Sequence, residues 1–202
     1  MVPMVILAVI ALVGGVVYGL SGLEVPLLTL LTDHSDLVLY LLMFLVGISI
    51  GLHEGIWAKI KQYHIKAFLI PIGIIAGSLV GGAVCAPLLG FSVEQGTMVA
   101  SGLGWYSLAG VTIGNLAGAQ LGSIAFLSNL MREIISFFLI PPISRRLNYY
   151  TCIAPAAATS EDTTLSMMIR FTDEETVVLS VFNGVVCSAA VPPLISLCAA
   201  LL

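Results

Sequence analysis

Apolar residues run in blocks along this chain, and the lengths of the blocks are the first signal. Residues 3–20, 37–53 and 66–89 are nearly continuous apolar stretches, each long enough to cross a hydrocarbon core of about 30 Å as a helix. An acidic loop with Glu24, Asp33 and Asp36 parts the first two, and WAKIKQYHIK parts the second from the third. Further blocks at 121–142 and 176–200 bring the prediction to about five transmembrane helices in an all-α polytopic membrane protein.

Two segments interrupt this pattern. Residues 93–119 are long enough to cross but rich in Gly, Ser and Thr, and residues 152–169, CIAPAAATSEDTTLSMMI, are too polar to face lipid. Basic residues favour the cytoplasmic side, which places Lys59, Lys61 and Lys66 there. If 93–119 crossed the bilayer, Arg145 and Arg146 would land on the opposite face; if it turned back, they would join the lysines. The expectation is therefore a re-entrant segment, since Gly-rich non-helical backbone at membrane depth is tolerated where it lines a cavity. The alternative is a plain Gly-rich helix packed by its small residues. In the re-entrant topology Glu94 and Leu202 lie outside.

A shift of 51 positions lays IPPIS, 140–144, over VPPLI, 191–195, which suggests a weak repeat of 93–144 and 151–195 within one membrane domain spanning 1–202. A unit with one full crossing inverts its successor, so the two broken segments would enter from opposite faces and meet near the midplane. Secondary transporters are commonly built this way.

Composition narrows the classes. Hydrophobic residues make up 59% of the 202 and charged residues 9%, where soluble domains carry about 25% charged. Seven basic residues, scattered in a chain of net charge −4, form no surface for nucleic acid. The four cysteines show no C-x-x-C spacing, and His53-Glu54 lacks a second histidine four residues on, so no metal and no cofactor is expected. No phosphate-binding P-loop occurs, so transport by this chain would draw on a gradient. The first twenty residues lack a positive leader region and a clear cleavage site, and read as a retained span.

Within the block 121–142, Arg132 and Glu133 are neighbours, and at about 100° per residue they do not face each other. Ser128, Asn129, Arg132, Glu133 and Ser136 form one stripe, with Leu127, Leu130, Met131, Ile134 and Phe138 opposite. A charge at the bilayer centre costs about 2.5–3.5 kcal/mol on the lenient insertion scale, so this stripe must face protein or water. It serves either a substrate or ion, or packing alone.

The second constellation is APAAATSEDTTL, 154–165. Pro155 is expected to stop one segment and Thr159 or Ser160 to cap the next helix, with Glu161 and Asp162 at its positive end. Capping leaves unexplained five polar side chains within membrane reach. Two carboxylates beside hydroxyls, Thr163 included, would hold an ammonium or a small cation. GLGWYSLAG, 102–110, is expected to be tight non-helical backbone with Trp105 and Tyr106 at its bend. Those aromatics serve either as interfacial anchors or as a cavity wall that offers the hydroxyls of Tyr106 and Ser107.

SGLGWYSLAG (101–110), GSIAFLSNLMREIISFFLIP (122–141), APAAATSEDTTL (154–165) and LLMFLVGISIG (41–51) together resemble the LysO family of bacterial lysine exporters. The resemblance implies efflux of L-lysine and of toxic lysine analogues across the inner membrane. It places the family's intramembrane glutamate on Glu133 and its aspartate on Asp162. Glu161 stands where the family often has Met. Many relatives carry a further N-terminal stretch with another intramembrane acid. This chain is expected to work either with a separately encoded small membrane subunit or as a homodimer.

Lysine carries two ammonium groups and one carboxylate. Glu133 and Asp162 would take the ammonium groups; Arg132, or a half-helix N-terminus near Thr159 and Ser160, would take the carboxylate. The coupling ion is H+ or Na+. Two rival classes are a structural subunit of a membrane complex and an intramembrane hydrolase using Ser160. The second needs a His or Lys base, and every such residue sits at a loop or interface position.

Overall fold

The computed structural model describes residues 2–22, 25–26, 41, 44–45, 48 and 56–201. The chain divides into two compact units, Met1–Gly47 and Ile48–Leu202. In the first, α1 (Val2–Ser21) takes up the predicted span 3–20. Its end is tied by the Ser21 hydroxyl, which donates to the Tyr18 carbonyl at 2.7 Å. Of the span predicted at 37–53, only positions 41, 44, 45 and 48 are described, and all four are helical. The acidic loop residues, His53 and Glu54 lie outside the described residues.

The second unit contains α2 (Ile56–Leu88), α3 (Val93–Ala100), α4 (Tyr106–Ala117), α5 (Ala119–Arg146), α6 (Ile153–Ala156), α7 (Leu165–Phe171) and α8 (Glu174–Ala199). Two 3-10 turns, Tyr149–Cys152 and Ala157–Glu161, flank α6. No strand occurs among the described residues. Among the described residues, three stretches are long and apolar enough to cross a membrane: Ala67–Leu88, Ala119–Arg146 and Glu174–Ala199. The protein is an all-α polytopic membrane protein.

One expectation fails at α2. WAKIKQYHIK does not interrupt the helix; it forms the first turns of α2. The stretch has neither Gly nor Pro and is rich in helix-favouring Ala, Lys and Gln, so the helix continues out of the apolar block.

Side chains that face lipid gain nothing by leaving it, so packing between membrane helices comes from close approach and hydrogen bonds. Accordingly, α3 folds back along α2 through small residues: a methyl added at Gly82 would stand 2.5 Å from the Gly96 carbonyl oxygen. The link Gly118, with φ 93, then turns α4 directly into α5, and Gly110, Gly114 and Gly122 lie against one another. Tyr106 meets Phe126 edge to face at 5.4 Å, so α4 and α5 run antiparallel. At the other end of α5, Ile140, Cys152, Ala156 and Met168 form a buried apolar cluster. This cluster joins the α6 region and α7 to α5. Outward-facing Leu127, Met131, Ile134 and Phe138 are exposed, as the stripe on α5 predicts.

Candidate functional site

The site is built where two helices break. In the first break, between α3 and α4, Leu103 has φ 48 and Gly104 φ 96, both left-handed. This frees backbone groups that must find partners away from water. Asn129 on α5 supplies them: its Oδ1 accepts from the Gly104 N–H at 2.7 Å, and its Nδ2 donates to the Val99 carbonyl at 3.0 Å and the Ala125 carbonyl at 2.9 Å. Helix resumes at Tyr106, so the non-helical stretch is shorter than the expected 102–110.

The second break follows α6, where Ala157 has φ 50. A stripe on α8 holds it. Asn183 Nδ2 donates to the Ala157 carbonyl at 2.9 Å and to Ser160 Oγ at 3.0 Å, and Ser180 Oγ donates to the Ser160 carbonyl at 3.2 Å. Gly184 admits the chain closely: a methyl there would lie 2.5 Å from Glu161 Cβ. The carboxylate of Glu161 turns to α8 and accepts from Ser188 Oγ at 2.8 Å.

The breaks touch. The Ala158 N–H donates to the Leu103 carbonyl at 3.0 Å, and Gly104 packs beside the Ala156 carbonyl and Thr159.

Two charges of α5 flank this crossing and diverge. Glu133 is 8% exposed, and its Oε2 has no hydrogen-bond partner among the described residues. Asp162 and Thr163 are its polar neighbours, and the Tyr106 hydroxyl lies near both carboxylates. Asp162 accepts from the Thr163 N–H and, at 3.3 Å, from the Thr163 hydroxyl. Arg132 points instead toward α2 and α6: its Nε donates to the Pro155 carbonyl at 3.1 Å, Nη2 to the Ala154 carbonyl at 3.1 Å and Nη1 to Ser78 Oγ at 3.0 Å. It therefore closes off the carbonyl end of α6, where the helix dipole is negative. A cavity of about 750 Å³ opens over Arg132; Glu133, Asp162 and Tyr106 do not line it.

The family profile described as "Lysine exporter LysO" matches residues 9–199. The chain belongs to the LysO family. The Escherichia coli (strain K12) protein named "Lysine exporter LysO" is 35% identical over 182 residues, which are 90% of this chain and 60% of that protein. This chain thus spans about three fifths of the length of that LysO relative. A Haemophilus influenzae relative, provisionally named a lysine exporter, is 35% identical over 158 residues, 78% of this chain and 80% of its own. No solved structure matches the chain significantly.

Of the residues singled out in this LysO chain, the structure brings Glu133, Asp162, Thr163 and Tyr106 together at the crossing. Asn129 commits its amide to backbone. Trp105 is half-buried just before α4, and Ser107 is exposed. Thr159 and Ser160 do not cap α7 as expected: their hydroxyls go to the Ala156 carbonyl at 2.9 Å and to the Ala157 and Ser180 carbonyls at 2.7 Å. Helix α7 starts after Thr164 without a side-chain cap. Ser160 has two carbonyl oxygens and an amide as partners, none of them a base. The sequence reading missed Ser78, Ser180, Asn183 and Ser188. The pattern SVFNGVVCS, 180–188, puts Ser180, Asn183, Gly184 and Ser188 on one helical face of an apolar span, and that spacing was the available signal.

Proposed function

We propose that this chain exports L-lysine, and lysine analogues, by secondary transport across the bacterial inner membrane, with Glu133 and Asp162 as the cation-binding pair. One observation carries this reading: the buried Glu133 oxygen at the junction of two broken helices, with no partner among the described residues. A carboxylate oxygen stripped of water and left without a donor is costly. An ammonium group arriving from the substrate would supply the missing hydrogen bonds and charge, and its departure would leave the site ready for a proton or sodium ion. Membership of the LysO family supports lysine as the cargo.

In this reading 93–119 and 152–169 are re-entrant segments that enter from opposite faces and meet at mid-membrane, as units of an inverted repeat over 93–144 and 151–195. Their lengths suit half-crossings: at 1.5 Å per residue α3 and α4 reach about 12 and 18 Å, well short of the hydrocarbon core. Export is driven by a proton or sodium gradient, and the working unit is a homodimer or includes a small membrane subunit.

The test is efflux of labelled lysine from proteoliposomes holding this chain alone, under an imposed pH or sodium gradient. Gradient-dependent efflux supports the proposal. No efflux under either gradient, with efflux restored by a second polypeptide, assigns the working unit to a complex. No efflux in either setting refutes it.

A further inference from the structure

The groove over Arg132 has a composition that the cation pair does not account for. Its polar lining comes from Ser78, Arg132, Asn148, Tyr150 and Thr151, in a cavity of about 750 Å³ without a carboxylate in its lining. The guanidinium has five N–H donors. Three are used, on two carbonyls and a hydroxyl, all uncharged, so two remain and the positive charge has no anionic hydrogen-bond partner among the described residues. Glu175 accepts from the Tyr150 hydroxyl at 2.7 Å and not from Arg132.

Arg132 is also anchored in a way that suits recognition. Its Nε and Nη2 donate side by side to the Pro155 and Ala154 carbonyls, which fixes the plane of the guanidinium, and Ser78 holds Nη1. A guanidinium held by three hydrogen bonds in the lining of an open cavity, with two N–H groups left over, can receive a carboxylate through charge-assisted hydrogen bonds. Packing needs alone would be met by a neutral donor facing the two carbonyls.

We propose that this groove is a carboxylate-binding station, separate from the Glu133–Asp162 pair, which receives the α-carboxylate of an amino acid. Which molecule owns the carboxylate rests on the export reading above; the carboxylate chemistry does not. A diamine that satisfies the acidic pair would find nothing here, so the groove distinguishes an amino acid from a polyamine of the same length.

The test measures equilibrium binding of L-lysine, cadaverine and butyrate to the full chain in lipid nanodiscs. Ser78→Asp places an internal carboxylate beside Nη1 while leaving Arg132 in position; Thr151→Glu does the same from the opposite wall, should the first variant fail to fold. Either variant is expected to weaken lysine and butyrate about tenfold or more and to leave cadaverine unchanged. Glu133→Gln is expected to lose cadaverine and keep butyrate, which separates failure of the cation pair from failure of the groove. Lysine displacing butyrate assigns the groove to the amino acid; butyrate that binds but resists lysine overturns that assignment in favour of a free organic acid. Wild-type carboxylate affinity in both Ser78→Asp and Thr151→Glu, or no butyrate binding to the wild type, overturns the station itself.

Discussion

The N–H of Ala158 donates to the carbonyl of Leu103 at 3.0 Å, so a single backbone bond joins the two helix breaks. Leu103 and Ala157 both sit in the left-handed region, at φ 48 and 50, although neither is glycine. Such residues cost about 1–3 kcal/mol each and persist only where the surroundings hold them. Here the holders are two asparagines: Asn129 on α5 grips the first break and Asn183 on α8 the second. The lysine pathway proposed above passes this junction, with Glu133 on one side and the Arg132 groove on the other.

Replacing Asn129 with Ala therefore leaves the Gly104 N–H buried without a partner, while the Val99 carbonyl keeps only the long bond from the Gly102 N–H at 3.4 Å. An orphaned buried donor costs about 1–3 kcal/mol, so Asn129→Ala is expected to lower stability by about that much. Asn129→Asp restores only the acceptor and should recover only part of the loss. Thermal unfolding in detergent checks both; a melting temperature within a degree of the wild type for Asn129→Ala would show that the break is held by other means.

Topology is tested with single cysteines in a variant lacking the four native ones. The start of the α2 span Ala67–Leu88 and the C-terminal end of α5 lie toward one side of the second unit, because Leu69 and Ile70 line the same cavity as Asn148 and Thr151. Cysteines at positions 61 and 145 are expected to react with an impermeant reagent from the cytoplasmic side, and one at position 94 from outside. Labelling of 61 and 145 from opposite sides would show that 93–119 crosses the membrane.

Much of this arrangement was legible in the residues. The blocks at 66–89, 121–142 and 176–200 lie within two residues of helices at their apolar ends, because hydropathy and length decide what spans a bilayer. The divergence of Arg132 and Glu133 follows from helical geometry alone. The partners of Arg132 were not legible, since two of them are backbone carbonyls and any residue type supplies those. Nor could the sequence show that Thr159 and Ser160 turn back onto carbonyls: a hydroxyl beside a helix start suits a cap equally well, and the positive φ at Ala157 that redirects the chain has no residue signature.

A pH effect is expected at the start of α8. Asp173 lies outside the span and caps it, accepting from the Thr176 N–H at 2.9 Å; hydrogen bonding to Thr176 holds its carboxyl below the ordinary aspartate range. A depressed native pKa means that the contribution is complete above the unfolded value of about 3.9 and is lost as the pH falls through the lower native value. The stability gap between wild type and Asp173→Asn should be constant from neutral pH to about 5 and close on further acidification. A gap that widens on acidification would contradict the cap.

The central claim is that the Glu133 carboxylate binds the cargo. Its most direct test is counterflow of labelled L-lysine into proteoliposomes preloaded with unlabelled lysine, comparing wild type with Glu133→Gln at equal amounts of inserted, folded protein. Glutamine keeps the shape and removes the charge. Counterflow is expected to fall to the level of empty liposomes in Glu133→Gln while its melting temperature stays near that of the wild type. Counterflow at the wild-type rate in the folded variant would contradict it.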